Sequence, residues 1–167
     1  MKTLIISAAM MLLSLTASAQ WVLERYKADE LLGTKGDIVK VFMQGDFSFF
    51  IYDEDQFGIW TADGIFNRER VRTDVGQQVL VGLYDDKDKL VEKFKIWLDY
   101  DNDGRRLRTR DLGVMNNPVG QAKKAKKLYK HLHSGKGYAR IVAERFGKDK
   151  YDIKIQQYKF PGFYIDK

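Results

Sequence analysis

The chain has 167 residues, of which 44% are hydrophobic and 31% are charged, and its formal net charge is +6 at pH 7. This length suits one ordinary domain, and the apolar content is sufficient for a packed core, which excludes a largely disordered protein. The chain contains no cysteine. Disulfide scaffolds, cysteine nucleophiles and cysteine-based zinc sites are therefore excluded.

The N-terminus has the three parts of an export signal: a cation at Lys2, an apolar run at residues 4–13 and small residues at 17–19. It resembles a bacterial signal, so we predict a signal peptide over residues 1–19 and a single domain over residues 20–167. The apolar run is too short to span a bilayer, and no cysteine can carry a lipid. The sequence thus predicts an exported protein, periplasmic or extracellular, without a transmembrane or lipid anchor.

The first part of the domain reads as a series of short strands. Segments rich in β-branched and aromatic residues are separated by turn residues and lie at 21–26, 37–43, 47–52, 57–61 and 78–84. Turn signals recur about every eight to twelve residues, which is typical of antiparallel sandwiches and barrels. We predict a mainly β protein, an antiparallel β-sandwich of about nine or ten strands, with a flattened β-barrel as the alternative.

A long hairpin follows, and its tight turn is predicted at residues 101–104. In this register Leu98 faces Leu107 and Trp97 faces Arg108, and side chains alternate between an apolar and a basic face. Like charges on facing strands destabilise a sheet, so the basic face needs solvent, carboxylates or an anionic partner. The candidate ligand-binding residues are Lys93, Lys95, Trp97, Arg106, Arg108 and Arg110.

Two interpretations of this basic face remain open. It is either a solvated surface on which Arg108 stacks on Trp97, or a site for an acidic glycan or a lipid headgroup. Arginine pairs well with sulfate, phosphate and carboxylate, and an exposed tryptophan provides a flat apolar surface. The second interpretation predicts an anionic ligand.

The hairpin turn also has the opening pattern of a calcium loop. Asp99, Asp101 and Asp103 alternate and are followed by glycine, as in the first half of an EF-hand loop. Arg110 stands where that loop needs a bidentate glutamate, and the flanking segments read as strands. We therefore favour a simple turn, with the three aspartates as ligands if calcium binds. No other cofactor is predicted.

The periodicity changes near residue 117. Pro118 suits the first position of a helix, and Ala125, Leu128 and Leu132 recur at helical spacing. We predict one α-helix over about 118–133, placed between the C-terminal strands. Its histidines, at 131 and 133, lie on different faces and are not predicted to share a metal.

Charge is distributed unevenly: residues 20–103 contain 11 Lys and Arg against 18 Asp and Glu, whereas residues 104–167 contain 17 against 5. Either the two parts face each other in the fold, or a basic surface attracts polyanions. Export and the absence of a recognised motif argue against nucleic acid as the partner.

The layout resembles that of small exported β-sandwich proteins of bacteria. We expect a non-enzymatic binding module of the cell envelope or exterior, whose ligand is an anionic glycan or another envelope component. A structural protein–protein module, including self-association, is the first alternative. A small hydrolase with paired carboxylates is the second.

Overall fold

The structure is a computed structural model that describes residues 19–27, 36–62, 76–100, 106–109, 118–144, 150–160 and 162–166. These residues contain ten strands and one helix. In chain order the elements are β1 (Gln20–Tyr26), β2 (Asp37–Gln44), β3 (Phe47–Asp53), β4 (Gln56–Thr61), β5 (Gly76–Tyr84), β6 (Leu90–Tyr100), β7 (Arg106–Arg108), α1 (Pro118–His133), β8 (Tyr138–Glu144), β9 (Lys150–Gln156) and β10 (Tyr164–Asp166).

The strands are hydrogen-bonded in the order β10–β1–β2–β3–β4–β7–β6–β5–β8–β9. Neighbours are antiparallel, except that β10 runs parallel to β1. The short strand β7 joins two halves, one made of β10 and β1–β4 and the other of β5, β6, β8 and β9. The two terminal strands of this order do not pair with each other, so the described sheet is not a closed barrel. The predicted mainly antiparallel sandwich with one helix is confirmed.

One hydrophobic core lies between the two halves and the helix. Phe42 and Phe49 enter it from the first half, Ile96 and Leu98 enter it from the second, and Leu128 enters it from α1. These side chains are almost completely buried. Because successive side chains of a strand point to opposite faces, a slip of one residue would expose them, and the core therefore fixes the register.

The register of β6 and β7 differs by two residues from the predicted one. Tyr100, and not Leu98, lies opposite Leu107. Strand β6 continues to Tyr100, so the connection to β7 consists of residues 101–105 and is longer than the predicted four-residue turn. A shift of two residues keeps the alternation of faces, and Leu98 and Ile96 remain buried.

The helix α1 lies beside β6 where the short strand β7 has ended. Gln121 Oε1 accepts a hydrogen bond of 3.0 Å from the backbone N–H of Trp97, and Lys127 forms an ion pair with Glu92. An uncovered strand edge is a site of unwanted pairing, and a helix along it prevents this. None of the helices in the described part of the chain is long and apolar enough to cross a membrane.

Candidate functional site

The outward face of β6 carries three of the predicted ligand-binding residues. Lys93 and Lys95 are exposed and Trp97 is half-buried, whereas the intervening Ile96 and the following Leu98 are buried. Strand alternation explains this division, because the apolar side chains at even positions point into the core. The three residues therefore share one outer surface of the second half of the sheet.

A groove of about 330 Å³ opens on this surface. Leu80 of β5 and Val142 of β8, which are partners in the sheet register, form its floor. Lys95 and Trp97 stand on the β6 side, and Lys150 stands on the β9 side. The groove is lined by Gln78, Leu80, Lys95, Trp97, Val142, Glu144 and Lys150.

The floor of the groove is accessible and apolar. Leu80 is 40% exposed, and Val142 is half-buried beside it. Their neighbours in the strands, Val79, Val81 and Ile141, point inward and are buried in the core. Leu80 and Val142 therefore point outward. A ligand seated here would bury apolar surface that the folded chain leaves in water.

Two contacts hold Trp97 at the groove. Its backbone N–H donates a hydrogen bond to the Gln121 side chain of α1. Its indole ring lies against the start of β5. A Cβ atom at Gly76 would come within 2.8 Å of the Trp97 Nε1 atom and within 2.1 Å of the Leu98 carbonyl oxygen. Glycine at position 76 is therefore required for the close approach of β5 to this part of β6.

The cations around the groove have no ion-pair partner in the described parts of the chain. None of the ion pairs there involves Lys93, Lys95 or Lys150. Glu144 is the register partner of Lys150, so one carboxylate does lie near the β9 side. All three lysines are exposed to solvent.

The other end of the same outer surface is organised differently. Arg140 donates two hydrogen bonds to the carboxylate of Asp152, one of them of 2.5 Å from Nε. The Lys154 ammonium lies 3.8 Å from the centre of the Tyr138 ring, and that ring stacks on Tyr84 with 4.9 Å between centroids. We call these five residues the ladder.

Pairing within the ladder affects its ionisation. The hydrogen bond from Arg140 lowers the pKa of the Asp152 carboxyl below its usual value, and the attraction of the Arg140 charge adds to the effect, while burial opposes it. The same hydrogen bond raises the pKa of Arg140. The charges of this pair are therefore satisfied within the chain.

Strand β7, which carries Arg106 and Arg108, lies on the opposite side of β6 from β5 in the sheet order. In backbone register, Arg106 lies opposite Trp60 of β4, and Arg108 lies opposite Gly58 of β4 and Asp99 of β6. Arg110 lies outside the described residues. The strand that carries the first two arginines thus joins the two halves of the sheet.

Sequence reasoning missed Lys150 and the two floor residues. The alternation of β9, with Tyr151 and Ile155 buried, gives the outward direction of Lys150. It does not reveal that β9 and β8 lie beside β5 and β6, because the pairing of Leu80 with Val142 joins residues far apart in the chain.

The structure describes only one of the three aspartates that are predicted to bind calcium. Asp99 is buried near the end of β6, whereas Asp101 and Asp103 lie outside the described residues. Within the residues that the structure does describe, no group of three His, Cys, Asp or Glu side chains could hold a metal ion. Calcium binding by the three aspartates stays a prediction.

The two histidines of α1 contact different parts of the fold. His131 Nε2 lies 3.0 Å from the carbonyl oxygen of Tyr84. His133 Nδ1 lies 2.8 Å from the carbonyl oxygen of Tyr129, and its Nε2 lies 3.0 Å from the Lys40 ammonium. Burial and the nearby Lys40 charge lower the pKa of His133, although the Tyr129 bond opposes this. Both histidines are held by structural contacts.

Comparison with protein-family models, with curated proteins and with solved structures finds no match to this chain. The function is therefore inferred from the chain's own residues, and the groove on the outer surface is the candidate site.

Proposed function

We propose that the chain is an exported, non-enzymatic binding module of the cell envelope or exterior, and that its groove takes an anionic glycan. The observation that supports the proposal is the pair of groove lysines, Lys95 and Lys150, with Lys93 beside them on the outward face of β6. No carboxylate of the described residues forms an ion pair with any of the three. Lysine side chains in such a position attract carboxylate and sulfate groups over several ångströms of solvent.

The apolar part of the groove supports a sugar in preference to a simple anion. Trp97 is half-buried at one side, and Leu80 and Val142 form an apolar floor. The C–H face of a sugar ring packs on aromatic and aliphatic surface, while its acidic substituent reaches a cation. A free phosphate or sulfate would use the lysines but would leave this apolar surface in water.

Affinity chromatography on a sulfated-polysaccharide column tests the proposal. The protein is compared with a groove variant, in which Lys93, Lys95 and Lys150 are changed to glutamine. The matched control carries the same change at Lys123, Lys126 and Lys130, three exposed lysines of α1. Both variants lose the same charge, so a general effect of net charge shifts their elution equally.

We expect the parent to elute only well above physiological salt, the groove variant to elute at clearly lower salt, and the control to stay near the parent. Melting temperatures of all three should agree, because exposed lysines without ion pairs contribute little to stability. Equal shifts for the two variants, or no shift for the groove variant, would contradict the proposal.

A protein–protein module is a second candidate, favoured by the exposed apolar residues near the sheet edge. Phe160 is 65% exposed, and Phe163 and Ile165, beside or within the edge strand β10, are exposed as well. Exposed apolar clusters at a strand edge are typical of association sites. Light scattering on the column samples separates the candidates, since self-association through this edge would persist in the groove variant.

A further inference from the structure

Four half-buried side chains meet where the end of α1 lies against β2. They are Lys40 of β2, Tyr129 and His133 of α1, and Tyr158, which follows β9. The Lys40 ammonium lies 5.2 Å from the centre of the Tyr129 ring and 4.8 Å from that of the Tyr158 ring. The His133 ring stacks on Tyr129 with 4.0 Å between centroids and lies 4.8 Å from Tyr158. The cluster therefore connects three separate parts of the chain.

The two ring nitrogens of His133 have fixed roles in this cluster. Nδ1 lies 2.8 Å from the backbone carbonyl oxygen of Tyr129, which can only accept, so Nδ1 carries the proton. Nε2 lies 3.0 Å from the Lys40 ammonium, which can only donate. Nε2 must therefore present its lone pair, and the contact requires a neutral imidazole.

Protonation of His133 is incompatible with this contact. An imidazolium has an N–H at both ring positions, so two donors and two positive charges would face each other at Nε2 and the Lys40 ammonium. Two tyrosine rings and the Tyr129 hydroxyl, 3.4 Å away, also hold Lys40 in place. Relief of the repulsion thus requires β2 and the end of α1 to separate.

Lys40 is the charged group that faces His133. The other titratable side chains around the ring are Tyr129 of α1 and Tyr158, and burial raises the pKa of the Tyr158 phenol. Phenols are neutral below pH 8. No carboxylate in the described part of the chain forms an ion pair with His133. A proton on His133 would therefore add to an existing positive charge.

We infer that the Lys40–His133 contact is an acid-sensitive latch. Neutral His133 holds the end of α1 and the segment around Tyr158 on β2, and protonated His133 releases them. The latch is a property of the fold and does not depend on the proposed glycan site.

The ionisation of His133 sets the pH at which the latch opens. Burial lowers its pKa, the Tyr129 bond opposes this, and the Lys40 charge lowers it further, so the contact persists below the ordinary value of 6.5. The free energy of unfolding begins to fall below 6.5, where the unfolded chain takes up the proton first, and levels off below the folded-state pKa.

His131 provides an internal comparison. Its Nε2 lies 3.0 Å from the carbonyl oxygens of both Tyr84 and Tyr138. Carbonyl oxygens accept from neutral and protonated imidazole alike, so protonation of His131 breaks neither contact. The chain has two histidines, and of these only His133 should respond to Lys40.

NMR titration of the two histidine rings from about pH 8 to about pH 4.5 tests the contact. In the parent, His133 should titrate below 6.5. Lys40→Met should move this midpoint to higher pH, and Lys40→Arg, which keeps the positive charge, should move it less. The control Lys123→Met removes an exposed lysine of α1 and should leave the midpoint unchanged. A midpoint that Lys40→Met does not move, or moves no more than the control, would overturn the inference.

Hydrogen exchange at Tyr158 tests whether the contact holds the segment after β9. The Tyr158 backbone N–H donates to the Leu132 carbonyl oxygen over 2.7 Å. Its protection factor should fall by roughly threefold to tenfold as His133 is protonated, the range of one lost hydrogen bond. The variant His133→Gln cannot titrate, and its amide oxygen can still accept from Lys40, so its protection factor should stay constant over the same pH range.

The comparison with His133→Gln decides the second part of the inference. Protection at Tyr158 that does not change in the parent, or that falls equally in His133→Gln, would show that His133 does not control this segment, and the latch would be overturned. If Lys40→Met does not fold, the parent and His133→Gln still provide this test.

Discussion

The groove and the ladder occupy the same outer surface of the same four strands, yet their charged residues are used in opposite ways. In the ladder, Arg140 is held by Asp152, and Lys154 is held over the Tyr138 ring. In the groove, Lys95 and Lys150 have no such partner in the described residues. The ladder satisfies its own charges, and we propose that the charges of the groove are met by a ligand.

This difference shows that the amount of positive charge does not identify a binding surface. Both regions contain cations and aromatic rings on exposed strands. A cation that is already paired must lose that partner before it can bind an anion, which costs about as much as the new contact provides. A surface cation next to an apolar groove and without an internal partner is the better candidate for recognition.

The largest expected effect concerns the backbone that supports the ladder. Gly137 has a φ of 74°, and a Cβ atom there would lie 1.9 Å from the carbonyl oxygen of Tyr84. Gly135 has a φ of 76° but nothing within 4 Å of its Cβ position. Alanine at either position carries the left-handed penalty of about 1–2 kcal/mol, and at Gly137 the clash adds roughly 1–3 kcal/mol.

Denaturant unfolding of Gly137→Ala and Gly135→Ala measures this difference. We expect Gly137→Ala to be the less stable variant, because the carbonyl of Tyr84 belongs to the backbone and lies 3.0 Å from His131 Nε2 on another element. Equal losses of stability in the two variants would show that β8 can move away from Tyr84, and that the ladder is not rigidly supported.

A smaller effect concerns the charges of the ladder. The change Asp152→Asn should lower the free energy of unfolding at about pH 6 by roughly 0.5 kcal/mol, as expected for an exposed ion pair. The pKa of Asp152 is lowered in the folded state from its usual 3.8. The carboxylate therefore stabilises the fold above that value, and its contribution is lost as the pH falls through the folded-state pKa.

Urea unfolding of the parent and of Asp152→Asn, from about pH 6 to about pH 2.5, follows this contribution. The difference between the two proteins should shrink towards zero on acidification. A difference that stays constant, or grows, would mean that Arg140 does not depend on the Asp152 charge. The contrast between a paired ladder and an unpaired groove would then be lost.

Local patterns in the sequence predict much of the fold. Successive side chains of a strand point to opposite faces, so the sequence of β6 predicts that Lys95 and Trp97 share one face and that Ile96 lies on the other. The helix bounds at Pro118 and His133 agree with the structure, since proline suits a helix start and the apolar spacing is helical.

The strand order could not be predicted from those patterns. The sequence predicts that β7 pairs with β6 along a long hairpin. In the structure β7 pairs with two residues of β6 along one edge and with β4 along its other edge. Strands β8 and β9 reach the other edge of the β5–β6 pair after the helix. Such pairings depend on packing between distant parts of the chain, and they bring Lys150 and Val142 to the groove.

Tryptophan fluorescence during titration with a sulfated hexasaccharide tests the location of the site most directly. Trp97 is half-buried at the groove, Trp21 is only 7% exposed, and Trp60 lies on β4 in the other half of the sheet. We expect a saturable change in emission that persists in Trp60→Phe and disappears in Trp97→Phe. A change that survives in Trp97→Phe would contradict the account and place the bound glycan elsewhere on the molecule.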